Sequence, residues 1–146
     1  MPGGASRASA LSPDRFLRFV ERMVGEGKIV DEVFARRFIS ALFFALLNYW
    51  AAKQWDSGSR GKGPKQDSFP HTSFVRDMLS RGLDRPIIFI YLRRVLADHY
   101  VLNPTVVRVW ERALLFLGER ISVSLRPRDV ATALDAAREL LDSIVA

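Results

Sequence analysis

Apolar residues recur along most of this chain at intervals of three and four, the spacing of one face of an α-helix. The first run opens at Ser12, Pro13 and Asp14, which have the form of an N-cap and a first turn where the missing N–H of proline costs nothing. Phe16, Phe19, Val20, Met23 and Val24 then make an amphipathic stripe, and Gly25 and Gly27 end it. A second helix is predicted from near Asp31 to about Trp55. Its centre has a different pattern: between Arg37 and Lys53 the fifteen residues FISALFFALLNYWAA carry no charge and are interrupted only by Ser40 and Asn48. That run is shorter than the roughly 18–20 apolar residues a bilayer requires, and Arg36, Arg37 and Lys53 bracket it, so no membrane span is expected. A helix apolar on every side must be covered on every side. This one is therefore either wrapped entirely by its neighbours or leaves a face for a partner, most simply a second copy of the chain.

The pattern then breaks and resumes. Residues 56–68, DSGSRGKGPKQDS, contain no apolar side chain and read as a flexible surface loop. A short helix is predicted from about Thr72 to Ser80, capped by Thr72 or Ser73 and stopped by Gly82. His71, beside Pro70, reads as a capping or surface residue. Pro86 suits the start of the next helix, with Ile87, Ile88, Ile90, Tyr91, Val95 and Leu96 as its apolar side. The β-branched residues also permit a strand over 87–92, which the lack of any other convincing strand disfavours. Asn103 and Pro104 prevent simple continuation. Val106, Val109, Trp110, Leu114 and Leu117 predict a helix from Thr105 to Arg120. The last helix starts at Pro127 and carries Val130, Leu134, Ala137, Leu141 and Ile144. With no repeat and no dividing linker, residues 1–146 form one domain of the all-α class: an antiparallel up-and-down helical bundle, with a four-helix core plus one or two extra short helices. Residues 1–11 are expected to be disordered.

Composition narrows the chemistry. There is no cysteine and there are only two histidines, His71 and His99, which excludes disulfides, thiolate metal sites and thiol nucleophiles and argues against a histidine-rich metal centre. No cofactor or metal is implied. The formal net charge is +6, carried mostly by arginine, with lysine at positions 28, 53, 62 and 65. A polyanionic partner is compatible with that balance, but no block forms a basic arm, and a mildly basic solvated surface fits equally. Arg60, Lys62 and Lys65 alternate with glycines but match no phosphate-binding signature. Residues 1–10, MPGGASRASA, lack the apolar core of a signal peptide, so a cytoplasmic protein is expected.

Candidate chemistry gathers in Tyr91–Tyr100, YLRRVLADHY. Arg94 and His99, five apart, point about 140° away from each other on a regular helix, whereas Arg94 and Asp98, four apart, share a face. One reading is structural: Arg94 pairs with Asp98 for a few tenths of a kcal/mol (about 0.3–0.5), and His99 interacts with the helix C-terminus. The other is metal-independent RNA cleavage, with His99 moving a proton to or from a ribose oxygen and Arg94 holding the phosphate. A two-fold dimer would supply the second histidine that acid and base catalysis in one step needs.

Three features resemble the HEPN family of small helical bundles: the aromatic-rich apolar second helix, ARRFISALFFALLNYWA; the arginine, four residues and histidine of Arg94 and His99; and the alanine-rich last helix, RDVATALDAARELLDSIV. The likeness covers residues 34–100 and 127–145. It implies a homodimer with Arg94 and His99 lining a cleft at the interface, Asp98 in support, and Tyr100 one residue short of a tyrosine found in one toxin branch. Many members of the family are toxin ribonucleases paired with a minimal nucleotidyltransferase antitoxin, and others bind only nucleotides or partner proteins. The resemblance therefore implies either an endoribonuclease acting on RNA or a non-catalytic nucleotide- or partner-binding module.

Overall fold

A computed structural model describes residues 12–56, 71–99, 106–107, 119–120 and 125–146. Five helices occur among the described residues: α1 (Pro13–Gly25), α2 (Glu32–Asp56), α3 (His71–Ser80), α4 (Asp84–His99) and α5 (Pro127–Val145). They form an all-α bundle. Helices α1, α2, α4 and α5 build the four-helix core, with α2 touching the other three, and α3 lies against α2 and α4.

Local signals account for the ends of the helices. The Ser12 hydroxyl accepts from the Arg15 N–H at 3.2 Å, and Pro13 occupies the first turn of α1. Gly27 ends α1 with φ +66°, where the Lys28 N–H donates to the Met23 carbonyl at 3.0 Å. Gly82 repeats the arrangement after α3, with φ +78° and the Leu83 N–H on the Met78 carbonyl at 3.0 Å. Both are glycine-ended helix caps that an L side chain would strain. The Asp31 carboxylate caps α2 by accepting from the Phe34 N–H at 3.0 Å. At α5 the Asp129 carboxylate reaches back to the Arg126 N–H at 2.7 Å.

Packing selects among the apolar positions. On α1 the fully buried pair is Leu17 and Val20, while Phe19 is 40% exposed although it belongs to the predicted stripe. On α2 the residues Ala35, Ile39, Leu42, Phe43, Leu46, Leu47, Trp50 and Ala51 are buried, at intervals of four, three and one. They meet Ile87, Ile90, Leu92 and Leu96 of α4 and the Val130–Ile144 side of α5 in one continuous core. Each fully buried leucine, isoleucine or phenylalanine contributes about 1.5–3 kcal/mol relative to exposure. Arg36 joins two helix ends: its Nε bonds Glu32 at 2.7 Å and its Nη1 donates to the Leu96 carbonyl at 2.9 Å. A cation from α2 thus satisfies a carbonyl near the C-terminus of α4.

Residues 87–92 are helical as expected, so the strand alternative falls away. One expectation changes. Within the predicted helix 105–120, Val106–Val107 (β1) and Glu119–Arg120 (β2) instead pair as a short antiparallel ladder, Val106 opposite Arg120. Adjacent β-branched valines favour extended backbone; the rest of that segment lies outside the described residues. So do residues 1–11 and most of the 56–68 loop.

Candidate functional site around Arg94

Arg94 projects from the middle of α4 into the core and is 4% exposed, the one buried charged residue among those described. An isolated charge there would be costly. Three kinds of contact offset the cost. Its Nη1 lies 3.5 Å from the Asp98 carboxylate, one turn along α4. Its Nη2 lies 3.0 Å from Nδ1 of His71 at the first turn of α3. Its guanidinium carbon sits 5.1 Å from the ring centre of Phe43, 5.3 Å from Tyr91 and 5.6 Å from Phe44, within cation–π range.

The chemistry of the pair fixes its roles. A guanidinium has only donors, so the His71 Nδ1 must accept. That requires a neutral imidazole with its proton on Nε2. The His71 ring meets Phe43 and Phe44 edge-on, with centroids 5.8 and 5.5 Å away. Phe43 in turn packs on Tyr91 at 5.5 Å. Three helices therefore converge on one guanidinium: α4 brings Arg94, Tyr91 and Asp98, α2 brings the phenylalanines, and α3 brings the histidine. The Arg94 Nε–H remains buried without an acceptor, an unmade bond of about 1–3 kcal/mol.

The i,i+4 partnership of Arg94 and Asp98 expected from spacing is present. Helix α4 is continuous through His99, so positions 94 and 99 stand about 140° apart around its axis. Tyr100 lies outside the described residues. The histidine that meets Arg94 is His71, which sequence reasoning assigned to a cap or the surface. Nothing local could have found it, because the two residues are 23 positions apart and meet only when α3 folds onto α2 and α4.

A second polar junction lies near the far end of α3. Trp50 Nε1 donates to Asp77 at 2.7 Å, Asp77 also holds Arg81 at 3.0 Å, and Arg81 donates to the Ser143 carbonyl of α5 at 2.8 Å. It ties α2, α3 and α5 together. Among the described residues no group of three histidine, cysteine, aspartate or glutamate side chains could hold a metal ion, and no helix is long and apolar enough to cross a membrane.

No protein-family model, curated protein or solved structure matches the chain. Its chemistry must be argued from its own residues.

Proposed function

We propose that the chain is a HEPN-like, cytoplasmic interaction module that works as a homodimer, binding a partner protein such as a nucleotidyltransferase rather than turning over a substrate. The observation that carries this reading is the commitment of Arg94. A phosphate clamp must present its Nη donors to the ligand, and here both are engaged, one by Asp98 and one by His71, on a side chain that is 5% exposed. An arginine so placed orders three helices instead of meeting a phosphate.

One observation favours a second reading, metal-independent RNA cleavage with His99 as acid/base and Arg94 on the phosphate: the Nε–H of Arg94 has no acceptor, so the guanidinium keeps donor capacity for a phosphate oxygen. The two readings separate in one assay. Purified protein is incubated with single-stranded RNA in EDTA beside His99→Ala. The module reading expects no cleavage by either protein and co-purification of a nucleotidyltransferase. Cleavage that His99→Ala abolishes, with little change in melting temperature, would overturn it in favour of the ribonuclease.

A further inference from the structure

Among the described helices α3 alone stands outside the four-helix core, and side chains of different chemistry pin its two ends. Between the pins Phe74, Val75 and Met78 are buried, and the Phe74 ring packs on Phe43 at 5.7 Å and on Trp50 at 5.4 Å. The far end is held by the junction of Trp50, Asp77, Arg81 and Ser143, where an indole and a guanidinium donate to a carboxylate and a carbonyl. No histidine takes part there. At the near end the first residue of α3 is His71, whose Nδ1 lies 3.0 Å from Nη2 of Arg94.

The near pin works only with an uncharged ring. A guanidinium offers donors and no acceptor, so a proton on Nδ1 would set two donors and two positive charges 3.0 Å apart. The helix adds to that cost, because the N-terminus of α3 is the positive end of its dipole and disfavours a cation. Among the described residues α4 brings Arg94 and Asp98 to the cluster, and the Asp98 carboxylate is already shared with Nη1 of Arg94 at 3.5 Å. Arg93 of α4 is turned to Phe89, 3.6 Å from its ring centre. From α2 the ring is met by Phe43 and Phe44, which carry no charge. On α3 itself Arg76 is exposed and Asp77 is committed to the far junction. With a neutral ring the charges of Arg94 and Asp98 cancel; an imidazolium puts a positive charge in excess among the three side chains.

We infer that the first turn of α3 is a proton-operated latch: protonation of His71 frees that turn from α2 and α4, while the far junction and the four-helix core stay closed. The sign follows from which state takes the proton. A solvated histidine binds one near its ordinary pKa of about 6.5, whereas the docked ring excludes it from the nitrogen that faces Arg94. The freed state therefore holds more protons, so docking is fully stabilised above about pH 6.5 and weakens as the pH falls below that value. Freeing the ring takes the acceptor from Nη2 of Arg94 and uncovers the sides of Phe43 and Phe44 that it meets. Acidity then decides whether this guanidinium is enclosed. The latch concerns only the docking of α3, and it holds whether the chain is a partner-binding module or a ribonuclease.

Amide hydrogen exchange of the unmodified chain reads the latch, compared at about pH 8 and about pH 5 after correction for the intrinsic pH dependence of exchange. The informative amides are those of Val75 and Arg76, which in a regular helix bond back to the carbonyls of His71 and Thr72. Their protection should fall about tenfold to a hundredfold at the lower pH, since one proton gives at most tenfold per pH unit, while amides of α4 and α5 keep theirs. His71→Gln, whose side-chain oxygen still accepts from Arg94 but takes no proton, should hold Val75 and Arg76 protected at both pH values. His99→Gln, which replaces the other histidine of the chain, should behave as the unmodified protein does. Protection that ignores pH, a pH effect that survives His71→Gln, or a loss shared by every helix overturns the latch. If His71→Gln does not fold, the unmodified protein decides alone by nitrogen NMR of its His71 ring. That ring should be the neutral Nε2–H tautomer at about pH 8 and titrate with the same midpoint as the loss of Val75 protection; an imidazolium or an Nδ1–H tautomer at that pH overturns the inference.

Discussion

The Arg94 cluster and Phe34 on the outward side of α2 are opposite departures from the usual arrangement of charge outside and apolar bulk inside. One puts a cation in the core; the other leaves a phenylalanine 44% exposed on the surface. The cation is compensated within the chain by a carboxylate, an imidazole nitrogen and three aromatic faces. The exposed phenylalanine has no such compensation within the chain. A chain can satisfy a buried charge by itself because hydrogen bonds and ring contacts are local. An exposed apolar side chain can be satisfied only by a surface of matching size. Phe44 lies against Arg94 and also lines the apolar groove beside α1.

Substitutions in both regions probe that contrast, and the first has the largest expected effect. Arg94→Ala should destabilise the chain by about 2–5 kcal/mol, through the cavity left among three rings and the lost tie between helices. Arg94→Met, which refills the space without the charge, should recover more than half of that loss in denaturant unfolding; no recovery would show that the charge, not the volume, holds the cluster. His71→Ala comes next, at about 1–3 kcal/mol, because it strands a buried charged donor. Measured by thermal unfolding, that is a drop of several degrees (roughly 3–10 °C) for a chain of this length; an unchanged midpoint would mean that the Arg94–His71 contact carries no weight. The smallest effect is Phe34→Ser, within about 0.5 kcal/mol in denaturant unfolding, because Phe34 is 44% exposed. A larger loss would place Phe34 in the core and remove the contrast.

Much of the architecture follows from local rules that the sequence displays. Ser12, Gly27 and Gly82 set helix ends through hydrogen bonds made within a few residues, Pro13 and Pro127 fit first turns where no N–H is needed, and the spacing of apolar positions identified five helices and the all-α class. The Arg94–Asp98 pair was legible for the same reason, since one helical turn separates the partners. At 106–107 and 119–120 the expected helix was misread because periodicity outweighed the extended preference of adjacent valines, and their pairing is a contact between distant positions.

The sequence by itself determined five helices, the Ser12 cap, the glycine stops at Gly27 and Gly82 and the absence of charge from the centre of α2. It also singled out Arg94. Tertiary structure decided which face of α2 is inside and which is left over, because that depends on where α4 and α5 lie and not on the helix's own uniformly apolar pattern. It decided as well that the histidine beside Arg94 is His71, brought across 23 residues by the docking of α3. Periodicity describes one helix at a time, whereas a buried charge is satisfied by whatever the neighbouring helices bring to it.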